Sequence, residues 1–138
     1  MQVTFHFNVA DPTDYACRLI RKALARRLRV LLCAEPDEVG RIDRALWAPP
    51  LGFMPHAVQS SPEHVRSRSP VYLCSDVVGD DAADVFINMQ DSVPVHLNRF
   101  GRLIEIVPPD EALRAQARQR WRHFTSLGWV PEGFDAAA

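Results

Sequence analysis

The segment from Val3 to Ala34 reads VTFHFNVADPTDYACRLIRKALARRLRVLLCA and predicts the fold of the chain. Its first five residues alternate between apolar and polar, which is typical of a half-buried strand. Asp11 and Pro12 then provide a helix N-cap and a first helical residue, and the helix is predicted to reach about Leu28. The unbroken apolar run at the end of the segment indicates a strand covered on both faces, as in a parallel sheet. A right-handed strand-helix-strand crossover is therefore expected.

The rest of the chain continues this alternation of helices and strands. After Pro36 a second helix is predicted to reach Trp47, and two prolines then end it. Residues 59–69 are rich in serine and proline and are predicted to be a loop, the least ordered part of the chain. The later predicted elements are strands at Val71–Cys74, Val85–Met89 and Leu103–Val107, and a helix from Pro108 to near Gly128. Together they predict an α/β fold, a single three-layer domain over residues 1–138 with a mainly parallel central sheet.

Composition limits the function classes. The 138 residues are 47% hydrophobic, enough for one buried core, and 16 Lys and Arg against 17 Asp and Glu give a formal net charge of -1. That balance disfavours a protein whose whole surface tracks phosphates. Three widely spaced cysteines indicate buried, reduced thiols. We see no secretory signal and no apolar run long enough for a membrane helix, so we expect a cytoplasmic protein without membrane contact.

Residue types that carry catalysis are present, but they are not arranged for it. The six glycines build neither a GxGxxG nor a GxxxxGK[ST] phosphate cradle. The five histidines are far apart and lack metal-ligand spacing, and His56 is expected to be a hydrogen-bonded structural histidine. The aspartates between Asp76 and Asp91 are expected to form a solvated acidic loop. The sequence thus predicts no catalytic residues, no metal and no cofactor, and it contains no phosphate cradle.

The last predicted helix carries a basic and aromatic stripe. Arg114, Arg118 and Arg122 recur at every fourth position on one face, and Trp121 lies at the boundary with the apolar face, which holds Leu113. This pattern is typical of an ordinary solvated arginine face. It is equally what a short acidic peptide with a hydrophobic end would bind, because arginine can fork onto carboxylates. Both interpretations remain open from the residues alone.

A second aromatic group lies near the end of the second helix. Trp47 leads into a proline-rich loop that carries Phe53. Trp47 and Phe53 could cap the core. They could instead anchor a protein partner, since a tryptophan in a stiff loop supplies contact area at low entropic cost.

These patterns resemble the chi subunit family of the bacterial DNA polymerase III holoenzyme over nearly the whole chain. The most specific stretches are Asp43-x-Ala45-Leu46-Trp47, Phe53-Met54-Pro55-His56, Val107-Pro108, Ala117-Arg118-x-Arg120-Trp121-Arg122 and Gly128. The resemblance implies a topology like that of nucleotide-binding folds, but without a nucleotide site. It also implies a non-enzymatic replisome adaptor that binds the acidic C-terminal tail of single-stranded-DNA-binding protein. It assigns that tail surface to Val107, Arg114, Arg118, Trp121 and Arg122.

The resemblance also implies a second protein partner, the psi subunit of the clamp loader or a helicase, contacted through Trp47 and Phe53, with DNA reached only indirectly. Two other functions stay open from the residues. A direct single-stranded nucleic-acid-binding module would use Trp121 and the arginines as a stacking and charge groove. A small nucleotide-dependent enzyme would need a phosphate cradle that the sequence does not contain.

Overall fold

The computed structural model describes residues 2–48, 55–58, 60–76, 83–92 and 100–137, with the backbone alone at position 67. In chain order the elements are β1 (Gln2–Phe7), α1 (Pro12–Ala25), β2 (Val30–Cys33), α2 (Pro36–Trp47), β3 (Ala57–Val58), α3 (Glu63–Arg68), β4 (Val71–Cys74), β5 (Ala83–Asn88), β6 (Phe100–Ile106), α4 (Glu111–Ser126) and β7 (Glu132–Asp135).

One seven-stranded sheet connects the described strands in the order β3-β4-β2-β5-β6-β1-β7. Every pair is parallel. β2 lies inside the sheet between β4 and β5, and all four of its residues are buried, as its unbroken apolar sequence requires. The prediction of an α/β fold with a mainly parallel sheet is confirmed.

Two apolar cores cover the two faces of this sheet. On one face α1 and α2 pack through Ile20, Ile42 and Leu46. On the other face α4 packs through Ala117 and Phe124. The three layers follow from the alternation of side chains along each strand, because neighbouring residues of a buried strand point into different cores.

The helix starts follow local capping rules. Asp11 accepts a hydrogen bond from the backbone N–H of Asp14 at 3.1 Å, and Pro12 is the first residue of α1. The predicted end of α1 at Leu28 is wrong, since the helix ends at Ala25. Arg27 has a φ of 59°, and this left-handed residue terminates the helix three residues early.

The prediction that residues 59–69 form a loop without secondary structure is wrong. Helix α3 occupies much of this segment, and Val65 packs its side chain against the α4-side core. The Ser69 hydroxyl donates to the Val65 carbonyl oxygen at 2.7 Å and closes the last turn. Strand β7 was not predicted at all, because its four residues are all exposed and show no alternation.

The three cysteines are free and buried, as predicted: Cys17, Cys33 and Cys74. The acidic residues from 77 to 82 lie outside the described residues. So does Phe53.

Candidate functional site

Helix α4 is fixed on the sheet by a buried ion pair. The Arg120 Nε donates to a carboxylate oxygen of Glu105 at 3.0 Å, and Glu105 is fully buried. Asn88, the neighbour of Glu105 across β5 and β6, donates to its other oxygen at 3.0 Å. Arg120 also donates to the backbone oxygen of Asp91 at 3.0 Å. These bonds set the rotation of α4 about its axis and therefore decide which side chains it presents to solvent.

Sequence reasoning missed this ion pair. Arg120 lies in a row of arginines, and nothing in that row marks it as buried. The available signal was Glu105, a lone carboxylate in an otherwise apolar strand, because a buried charge needs a partner of opposite sign. Burial raises the pKa of Glu105 to about 7, although Arg120 and Asn88 lower it.

The outward flank of α4 forms a hollow with β1. The hollow has a volume of about 290 Å³ and is lined by Phe7, Arg118, Trp121 and Arg122. The Trp121 ring lies 6.4 Å from the Phe7 ring at an angle of 29°, and 5.1 Å from the ring of Phe5. Trp121 is therefore half-buried against the core, with its position set by two phenyl rings.

Two guanidinium groups, those of Arg118 and Arg122, border this hollow. Arg118 and Arg122 are both exposed, and no carboxylate among the described residues forms an ion pair with either. Their charges stay available to an acidic ligand. We call the residues Phe7, Arg118, Trp121 and Arg122 the basic-aromatic hollow.

Arg114 is near this hollow but is partly committed to other contacts. Its guanidinium donates to the side-chain oxygen of Asn8 and lies 3.8 Å from Glu111. Asn8 adopts a φ of 60° at the end of β1, so Arg114 joins α4 to a tight turn.

Val107 lies beneath α4. It is only 1% exposed, and its N–H donates to the His6 carbonyl oxygen at 2.9 Å. Val107 belongs to the core against which Phe7 and Trp121 pack, and it also lines a cavity on the other flank of α4, together with Leu113. The structure thus brings Arg118, Trp121 and Arg122 together, places Arg114 beside them, and buries Val107 in the core below them. Leu113, expected on the apolar face, is 37% exposed.

Trp47 ends α2 on the opposite face of the sheet and is 59% exposed. Its ring meets the His56 ring edge-on at 5.7 Å. His56 is hydrogen-bonded to Asp43 at 2.6 Å, as expected for a structural histidine.

The comparison with known families decides what kind of protein carries these surfaces. Residues 1–132 match the family model described as "DNA polymerase III chi subunit, HolC". The chain belongs to the DNA polymerase III chi subunit family. Its place among replication proteins follows from this match, and it is an accessory subunit by family.

Relatives in three bacteria agree with membership of the chi family. The DNA polymerase III subunit chi of Haemophilus influenzae is 30% identical over 84% of this chain and 81% of the relative. That of Pseudomonas aeruginosa is 29% identical over 87% and 85%. The Escherichia coli subunit is 26% identical over 82% and 78%.

The described part of this chi-family structure shows neither a cluster of metal ligands nor a membrane-spanning helix. Within the described residues, no three His, Cys, Asp or Glu side chains gather as metal ligands would. None of the helices in that same part of the chain has the length and apolar character needed to cross a bilayer.

Proposed function

We propose that this chain is a non-catalytic, cytoplasmic adaptor of the replication machinery that binds the acidic C-terminal tail of single-stranded-DNA-binding protein. The observation that carries the proposal is the basic-aromatic hollow, in which Arg118 and Arg122 flank Trp121 and Phe7 around about 290 Å³ of open space. Arg114 extends the same basic surface along α4. An acidic segment with a hydrophobic last residue matches this arrangement of charge and shape.

The chemistry of each group supports such a ligand. A guanidinium can donate two parallel hydrogen bonds to a carboxylate, including a free C-terminal one. The rings of Phe7 and Trp121 offer an apolar floor for the last side chain of the tail. Because Trp121 is already held by Phe5 and Phe7, little side-chain entropy is lost on binding. Several tails on one partner assembly would raise a modest affinity by multivalency.

The second partner is proposed to bind at Trp47, with Phe53 as a further anchor. Trp47 is 59% exposed. The hydrogen bond between His56 and Asp43 holds the His56 ring, which packs edge-on against the Trp47 ring. A protein of the clamp loader, the psi subunit, or a helicase would dock there and link the tail-bound chain to it. DNA would then be reached only through these partners.

Calorimetric titration with the C-terminal peptide of the organism's own single-stranded-DNA-binding protein tests the tail proposal. Arg118→Ala is expected to weaken binding at least tenfold, about 1.4 kcal/mol, because an exposed and unpaired guanidinium is lost from the hollow. Arg26→Ala is the matched control: it removes the same charge from the exposed end of α1, on the other face of the sheet. Added salt should weaken binding by the native chain, since the arginines are screened.

Three results would contradict the tail proposal. They are no binding by the native chain, equal losses in Arg118→Ala and Arg26→Ala, and an affinity unchanged by salt. An unmodified single-stranded oligonucleotide, titrated in parallel, separates the tail proposal from direct nucleic-acid binding. Saturable oligonucleotide binding that Arg118→Ala abolishes, without any binding of the tail peptide, would favour the stacking groove instead.

A further inference from the structure

A second concave surface lies on the other flank of α4. It is a cavity of about 420 Å³ at the carboxyl edge of the sheet. Its walls come from the starts of α1, α2 and α4 and from the segments after β5 and β6. In parallel α/β folds this edge is where ligands bind, and cavities of this size hold one.

The cavity and the basic-aromatic hollow do not share a side chain. Leu113, Gln116 and Arg120 of α4 line the cavity, whereas Arg118, Trp121 and Arg122 line the hollow. At about 100° per residue, these two sets point to opposite flanks of the helix. The buried face of α4, with Ala117 and Phe124, lies between them.

The charge of the cavity is opposite to that of the hollow. Arg120 is neutralised by the buried Glu105, and Arg41 is paired with Glu38 at 2.5 Å. Glu35 and Asp91 remain, and in the described part of the chain neither carboxylate has an ion-pair partner. The cavity is therefore net acidic. An anion such as a nucleotide phosphate would be repelled here, even though three helices begin at this edge.

The apolar floor of the cavity and one unpaired hydrogen-bond acceptor indicate the chemistry of the ligand that the cavity would bind. Met89, Ile106 and Leu113 make much of the lining apolar. Gln116 also lines the cavity, and its side-chain oxygen is buried without a hydrogen-bond partner among the described residues. A buried acceptor left unpaired costs about 1–3 kcal/mol, so a ligand that donates a hydrogen bond to it gains this amount.

We propose that this cavity is a second peptide-docking site, one that takes a protein segment with an aliphatic side chain next to a lysine. The aliphatic group fills the space over Met89 and Leu113. The lysine ammonium lies by Glu35, and a backbone N–H of the segment donates to Gln116. This site stands independently of the proposed tail binding, because it shares neither residues nor charge with the hollow.

Nuclear magnetic resonance titration of the full-length chain tests the site with two defined probes, N-acetyl-leucyl-lysine amide and N-acetyl-leucyl-glutamate amide. Weak binding at millimolar concentration is measurable in this way. The lysine probe is expected to shift the backbone signals of Gln90, Leu113 and Gln116 saturably. The glutamate probe should bind several-fold more weakly, because it brings a like charge to Glu35.

Variants separate docking from structural effects. Leu113→Ala should weaken the lysine probe, and Glu35→Gln should weaken it about two- to fivefold, the range of a partly exposed ion pair. Gln116→Leu should weaken the probe without lowering the stability of the chain, because it removes an unpaired buried acceptor. Arg118→Ala, which acts on the hollow, should leave the probe affinity unchanged.

Two outcomes would overturn the site. One is equal binding of the two probes, or no saturable shift with either. The other is shifts that map to Phe7 and Trp121, which would assign the aliphatic group to the hollow. Failure of the tail peptide to bind would not affect this test.

Discussion

At the scale of single residues, the contact expected to matter most for folding stability is the ion pair of Arg120 and Glu105. Both side chains are almost fully buried, at 6% and 0% exposed. Above about pH 7, Arg120→Ala is expected to destabilise the chain by about 3 to 5 kcal/mol, because the buried Glu105 loses its counter-charge and is then held in its protonated form. Denaturant unfolding, followed by circular dichroism, measures this difference. A loss below about 1 kcal/mol would contradict the assignment, since that is the size of an exposed pair.

A control variant and the pH dependence sharpen this expectation. The double replacement Glu105→Leu with Arg120→Met should recover most of the lost stability, because no charge is then buried alone. The native pKa of Glu105, about 7, lies above its usual 4.5, so the folded chain retains a proton between these values that the unfolded chain has lost. This group therefore makes the native chain less stable as pH rises through that interval.

In Arg120→Ala the pKa of Glu105 rises further, since the guanidinium that lowers it is gone. Below about pH 7 the carboxyl group is protonated in both proteins, so the cost of the substitution is constant there. Above about pH 7, Glu105 ionises only in the native chain, so the stability lost through Arg120→Ala should grow. A cost that is the same at about pH 6 and about pH 8 would place the cause in packing alone.

At the scale of elements, the sequence predicted those whose signals are local. Asp11 with Pro12, and Asp110 before α4, mark helix starts through side-chain caps that a reader can see in the sequence. The central strands can be recognised in the sequence as apolar runs. Helix α3 and strand β3 are too short for a periodic signal.

The same reasoning explains which parts of the site could be predicted. The row of Arg114, Arg118 and Arg122 depends only on helical spacing, so its sidedness was visible beforehand. The burial of Arg120 and the contribution of Phe7 depend on which elements meet in space. Val107 was assigned to the tail surface by resemblance, and its burial in the core against which Phe7 and Trp121 pack likewise depends on which elements meet in space. The amino-acid sequence does not show which elements meet in space, so it cannot reveal such contacts.

Strand β7 borders the hollow, although no pattern in the sequence indicates a strand there. A Cβ added at Gly133 would lie 3.6 Å from the Phe7 ring and 3.8 Å from the Trp121 ring, which is ordinary contact. Gly133→Val should therefore fold well, and valine suits a strand. Its methyl groups would cover part of the aromatic floor, and the tail peptide should bind about fivefold more weakly, about 1 kcal/mol.

The control for this variant lies one residue earlier on the same strand. Glu132→Val places the same valine side chain at a position that pairs with Thr4 rather than Phe5, so it points to the other face of the sheet. It should not weaken the tail peptide. If both valine variants weakened binding equally, the effect would come from the strand as a whole and not from the floor of the hollow.

At the scale of the whole molecule, a net charge of -1 conceals a strong local separation of charge. The basic-aromatic hollow and the acidic cavity flank the same helix, so α4 presents opposite fields on its two sides. Trp47 lies in the other layer, beyond the sheet. This arrangement suits a connector, because each partner approaches from its own direction and a steady sheet holds the sites apart.

The distance between the hollow and Trp47 predicts that the two sites bind their partners independently. Trp47→Ala should leave the affinity for the tail peptide within about twofold of the native value, because distant sites without shared contacts act additively. Calorimetry on Trp47→Ala, on Arg118→Ala and on the double variant measures this, and the double variant should equal the sum of the single ones. A tail affinity that changes markedly in Trp47→Ala would mean that the sheet transmits a change between its faces. The chain would then act as a switch between its partners, whereas independent affinities would make it a passive tether whose strength is the product of two separate contacts.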